Sequence, residues 1–167
     1  MNEVKVWDVF VRFFHWSLVL SFFIAYLTED DVMWLHEAAG YFILALVGAR
    51  IIWGLIGTHY ARFTNFVFAP KTVKQYFFDS LKFKAKRYTG HNPLGGSMVI
   101  TLMLMLILTS WSGIEAHNDF WEEIHEFLAE ATMLLVIIHI AGVLFSSVAH
   151  GENLIKAMWT GKKRKED

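Results

Sequence analysis

The stretch His125–Val148, HEFLAEATMLLVIIHIAGVLFSSV, decides the fold. It is mostly apolar and long enough to cross a bilayer as a helix, which takes about 20 such residues. Working outward, three more stretches of that kind appear, at roughly Val9–Leu27, Leu35–Gly57 and Gly95–Ile114. Lipid offers no partners to open backbone groups, so helices are the expected form, and no alternating strand pattern competes. The sequence therefore predicts an all-α membrane protein, a bundle of four transmembrane helices forming one domain over residues 1–167. The first span is expected to be retained, because no convincing small-residue cleavage site follows it.

Composition agrees. The chain is 55% hydrophobic and 16% aromatic, and its mean hydropathy is +0.39. The net charge of −1 gives no reason to expect a nucleic-acid partner. There is no cysteine. Disulfides, thiolate-bound metals, iron–sulfur clusters and c-type haem attachment are thereby excluded.

Charge is sorted between the loops. Glu29, Asp30 and Asp31 lie between the first two spans, and Glu115, Asp119, Glu122 and Glu123 precede the fourth, with no Lys or Arg among them. The middle loop carries Arg62, Lys71, Lys74, Lys82, Lys84, Lys86 and Arg87, and the tail Lys156, Lys162, Lys163, Arg164 and Lys165. Positive charge stays in the cytoplasm, so both termini and the middle loop are expected there, in a multi-pass membrane protein. Within the middle loop, Val73, Tyr76, Phe77 and Leu81 recur at helical spacing between basic residues, which predicts an amphipathic helix over 71–86. A place on the inner membrane surface and a place packed on the bundle are both open to it.

Eight histidines are many for so apolar a chain. His36 and His125 open the second and fourth spans, so both lie near the outer face. His139 follows His125 by 14 residues, close to four helical turns, so it shares that face at roughly 21 Å greater depth. His15 lies 12 residues before Leu27, roughly 18 Å below the outer face. The four sort into two level pairs, His36 with His125 and His15 with His139. Two imidazoles at one depth on different helices suit the two axial positions of a haem iron. Iron so held has no open coordination position, which is the property of an electron carrier rather than of an oxygen-binding site. The third span has no histidine in its middle and is expected to give no axial ligand.

Other residues carry alternatives. Gly40, Ala129 and Gly142, each about one turn from a paired histidine, would leave shallow walls for a flat cofactor, though small residues also pack helices together in membranes. Arg12 and Arg50 end apolar spans on the inner side; they could clamp haem propionates, while snorkelling to the interface is the plainer role. His91 is the first substitute for the inner pair, and His150 is an interfacial residue with a smaller claim on a haem propionate or a quinone. Each single histidine could also simply hydrogen-bond a neighbour or line a wet cavity.

Arg12-Phe13-Phe14-His15-Trp16, His36-Glu37-Ala38-Ala39-Gly40-Tyr41, His125-Glu126 with His139 beyond it, and the basic tail after His150-Gly151-Glu152-Asn153-Leu154 resemble the prokaryotic cytochrome b561 family, which includes the cytochrome b subunits of nickel–iron hydrogenases. The resemblance implies a four-helix protein with two haem b groups held by histidines of the first, second and fourth helices. It further implies electron transfer between the quinone pool and a redox partner such as a periplasmic c-type cytochrome. Whether such a chain is a carrier, a subunit of an oxidoreductase complex or an enzyme stays open. Expected partners are membrane lipid, a quinone, a redox protein and a second copy in a homodimer. Two alternatives compete: a superoxide:quinone oxidoreductase acting alone, against which the acidic outer loops count, and a non-haem protein whose histidines bind a metal or move protons.

Overall fold

The computed structural model describes residues 3–29 and 32–164; Asp30, Asp31 and Lys165, counted in the charge sorting above, lie outside the described residues. Four long apolar helices dominate: α1 (Val9–Leu27), α2 (Met33–Ile56), α4 (Pro93–Glu115) and α5 (Asp119–His150). Between α2 and α4 lie two short 3-10 turns and α3 (Pro70–Leu81); after α5 comes a short helix, α6 (Leu154–Thr160).

Capping chemistry sets the helix starts. Asp8 accepts the Val11 N–H at 2.8 Å and opens α1. Asn92, followed by Pro93, accepts from Gly95 N–H and opens α4. Asn118 caps α5, placing Asp119 and Glu122 in the first turn at the positive end of the helix dipole. The fourth span thus begins six residues before His125; of the acids expected in the loop, Asp119, Glu122 and Glu123 ride on its first turns and Glu115 ends α4. At 32 residues α5 is about 48 Å long, which exceeds the roughly 30 Å hydrocarbon core. Gly151 ends it in the left-handed conformation (φ 58°).

The helices pack as two hairpins, α1 on α2 and α4 on α5, joined by α2 against α4. Phe22, Ile43, Val47, Met103 and Leu106 form the shared core. By contrast, α5 meets α1 and α2 only marginally. The α5 backbone stands back along its seam with the first hairpin, where Met133 and Val136 still reach the shared core. Large apolar side chains such as Leu20, Ile52, Leu55, Leu104 and Leu134 face outward, as lipid demands.

α3 is shorter than the 71–86 expected. It starts at Pro70 and stops at Leu81, where Lys82 caps it and Phe83 takes a positive φ of 54°. It packs on α4, with Tyr76 buried and Phe77, Phe78 and Leu81 exposed.

The tail is not a free basic segment. Lys162–Arg164 (β2) pairs antiparallel with Glu3–Lys5 (β1), in register Val4 to Lys163. Glu3–Lys5 and Lys162–Arg164 therefore meet at one end of the bundle. Glu152 is the hub of that strap: it pairs with Arg87 at 2.9 Å and Lys163 at 3.6 Å, and it accepts the Arg164 N–H at 2.7 Å. Lys163, almost fully buried, also donates to the Tyr88 carbonyl at 2.9 Å. Burial alone would raise the Glu152 carboxyl, but Arg87, the Arg164 N–H and Lys163 hold it below the ordinary range.

Candidate functional site

His36, one turn inside α2, and His125, in the second turn of α5, face each other across that seam. Their ring centroids are 5.8 Å apart and their planes stand at 89°. Two imidazoles bonding one metal from opposite sides at about 2 Å each would place their centroids roughly 6 Å apart, so the spacing fits one iron between them.

The ring nitrogens add a second test. His36 Nδ1 lies 2.8 Å from the Ala25 carbonyl oxygen, and His125 Nδ1 lies 2.9 Å from that of Thr109. A carbonyl oxygen can only accept, so both Nδ1 atoms carry the proton. Nε2 of each ring is left with its lone pair, which is the tautomer a metal-ligating histidine needs. His125 is further held by Ser112 Oγ, 3.2 Å from Nδ1. Gly113 admits the ring, since a Cβ there would lie 2.9 Å from His125 Cε1.

Toward the end that carries the β1–β2 strap lie His15 of α1 and His139 of α5, with His91 just before α4. Nδ1 of both His15 and His91 is buried without a hydrogen-bond partner. His91 is enclosed by Trp7 and Phe66, at centroid distances of 4.6 and 4.5 Å. Its burial, then the cations of Arg50 and Lys163, push its pKa down to about 3.

More unpartnered buried nitrogens belong to this end: Arg12 Nε, Trp16 Nε1, Arg50 Nη1 and Arg87 Nε. Arg50 is only 2% exposed. It donates to the Ala61 carbonyl at 3.0 Å and lies over the Phe63 ring at 5.1 Å. Arg12 donates to the Trp159 carbonyl at 2.8 Å. A protein seldom buries so many donors unmet; an anionic group lying among them would satisfy them. Trp16 meets the His15 ring edge-on at 5.0 Å and Trp159 at 5.5 Å, which encloses the space beside His15.

A Cβ built on Gly40 or Gly142 would touch nothing within 4 Å, and the same holds at Gly48. Free space therefore borders these backbones, and Ala129 is half-buried on α5. His150 ends α5 among the charges of Arg87, Lys163 and Glu152, as part of the strap. A polar cleft of about 290 Å³ lies beside His91, lined also by His59, Tyr60, Asn65 and Tyr88. Among the described residues no group of three or more His, Cys, Asp or Glu could hold a metal ion, so a closed four-ligand zinc site has no donor set there.

Several of these features escape the sequence. The carbonyl anchors of Ala25 and Thr109, the fit of Gly113 and the enclosure by Trp16 all depend on which faces of different helices meet. The only local signal was the position of Trp16 next to His15.

Four long apolar helices and the facing His36 and His125 fit the class of membrane cytochromes b. The chain matches the family model described as prokaryotic cytochrome b561 over residues 6–161, and it belongs to that family. It is similar to a probable Ni/Fe-hydrogenase B-type cytochrome subunit of Rhodobacter capsulatus, with 22% identity over 99% of this chain and 83% of that protein. A protein of the same description from Bradyrhizobium diazoefficiens is 23% identical over 98% of this chain and 87% of its own length. No solved structure matches significantly. Membership makes this a membrane cytochrome b with a role in electron transfer, and haem b is the cofactor the family implies.

Proposed function

We propose that the protein holds two haem b groups, one between His36 and His125 and one between His15 and His139, and passes electrons across the bacterial cytoplasmic membrane between the quinone pool and a redox partner protein. The supporting observation is the outer pair: two imidazoles 5.8 Å apart on helices that scarcely touch, each with its Nδ1 committed to a carbonyl. Haem iron bound by two histidines supplies a reversible one-electron couple. His36 and His125, with Nε2 free, would hold the iron of one group, and His15 and His139 would hold that of the other, about 20 Å along α5 from the outer level. His15 is preferred to His91 because it stands on a spanning helix at the matching depth, whereas His91 is enclosed by Trp7 and Phe66 outside the spans.

Arg12 and Arg50 offer unpartnered guanidinium nitrogens to the propionates of the inner group. Gly40, Ala129 and Gly142 leave wall space for flat rings. The basic loop and tail favour the cytoplasmic side for both termini. At the opposite end, Glu29, Glu37, Asp119 and Glu122 surround the outer level beside exposed Trp34 and Trp111. Such a surface steers a basic redox protein. The relatives' description suggests a hydrogenase-like partner; a periplasmic c-type cytochrome meets the same electrostatic requirement. The test is anaerobic mixing of the oxidised, purified protein with a short-chain quinol. Reduced b-type bands should appear. If dithionite produces those bands but quinol does not, the quinone link is wrong.

A further inference from the structure

α4 carries no histidine, yet three of its residues meet the ring of His125. The Thr109 carbonyl takes the Nδ1 proton at 2.9 Å. Ser112, 1% exposed, lies 3.2 Å from the same nitrogen and donates its own hydroxyl proton to Thr109 O at 2.8 Å. At Gly113 the α4 backbone comes so close that an added Cβ would fall 2.9 Å from Cε1, 3.2 Å from Nδ1 and 3.4 Å from Nε2. Carbon atoms in contact ordinarily stay about 3.5–4 Å apart. The ring is thus pinned at one edge by hydrogen bonds and along its side by a residue that has no side chain.

The surface that pins it is itself fixed. Thr109 and Thr132 share a hydroxyl hydrogen bond of 3.0 Å across the α4–α5 interface, and Thr132 is fully buried. Thr109 Oγ1 also donates to the Leu128 carbonyl at 3.2 Å. Side-chain hydrogen bonds of this kind hold helices together in membranes. His125 therefore cannot turn about its side-chain bonds without breaking contacts to a second helix.

From this we infer that Gly113, Ser112 and the Thr109 carbonyl are positioning residues of the outer haem: they set the tautomer and ring plane of His125 and thereby tune that haem's potential. The inference rests on the assignment of His36 and His125 as the outer axial pair. An Nδ1–H that donates to a carbonyl makes Nε2 a stronger electron donor to the metal, which favours the ferric form. A tilted ring, or one that has lost an acceptor, changes both the ligand field and that preference.

The test uses the full-length, haem-loaded protein, with EPR of the ferric state and potentiometric titration as readouts. The outer haem is the one that His125→Ala removes. Gly113→Ala should shift the low-field EPR line and the midpoint potential of that haem and leave the other haem's unchanged. Ser112→Ala adds no volume and should produce a smaller shift in the same haem. It still decides the matter if Gly113→Ala fails to fold or loses the haem outright. Leu104→Ala, on the outward side of the same helix, should move neither haem. Unchanged lines and potentials in both positioning variants, or equal shifts in both haems, would overturn the inference. If His125→Ala removes no haem, the assignment of the outer pair fails first, and the inference falls with it.

Discussion

Replacing Asp8 by Ala should loosen the hairpin that holds His15 and His36 at their levels. Asp8 caps α1 through Val11 N–H at 2.8 Å, and its other oxygen accepts from the Trp53 indole at 3.0 Å and from the Thr58 hydroxyl at 2.5 Å. The one carboxylate thus joins the start of α1 to the end of α2. Loss of an aspartate cap costs about 1 kcal/mol. A hydrogen bond to a charged acceptor adds about 1.5 kcal/mol for the half-buried indole. The exposed Thr58 hydroxyl can turn to water and adds little. The total is about 2–3 kcal/mol, which for a chain of this size lowers the unfolding midpoint by roughly 5–10 °C. Asp8→Asn keeps a competent cap and should lose about half as much. Burial alone would raise the Asp8 pKa, but the Thr58, Val11 and Trp53 donors hold it below its ordinary value of 3.8. Its contribution is therefore full above that value and fades as pH falls through the lower folded one. Loss of the Soret band on heating in detergent gives the midpoint. A midpoint for Asp8→Ala equal to that of the unsubstituted protein, or one for Asp8→Asn as low as for Ala, would refute the reasoning.

Other consequences can be checked on the same material. His36→Ala and His125→Ala should each remove one haem and spare the inner one, seen as a halved α-band; loss of both, or of neither, contradicts the pairing. Glu152→Gln should cost roughly 2–3 kcal/mol at neutral pH, because it removes the carboxylate that Arg87 and Lys163 face at 2.9 and 3.6 Å. In the unsubstituted protein, the contribution of Glu152 should fade as pH falls below the ordinary 4.5, since its folded value is the lower one. Superoxide generated by xanthine oxidase should reduce the haem slowly or not at all, because carboxylates surround the outer level; fast, saturable reduction would show that this electrostatic argument fails.

The spanning helices were legible because apolar length is a property of the local sequence. Their ends were less so. α5 starts at Asp119 rather than His125 because Asn118 caps it and acids suit its positive end, and a hydropathy pattern stops where the apolar residues stop. The strap between Glu3–Lys5 and Lys162–Arg164 was not legible: each strand is three residues long, and its partner lies at the opposite end of the chain. The histidine levels were read from helical rise alone, and in the structure the rings of His36 and His125 face each other. What fixes those rings was hidden, because Ala25, Thr109 and Gly113 act through backbone atoms supplied by neighbouring helices. Backbone atoms leave no mark in residue type, except where glycine is the only residue that fits.

On the proposed reading, two haem b groups fill the seam between α5 and the first hairpin. The pyridine haemochrome spectrum of the purified protein, with haem counted against protein mass, tests it most directly. A b-type spectrum and two haems per chain are expected. One haem per chain would mean that one of the histidine pairs is wrongly assigned, and a colourless protein would contradict the account altogether.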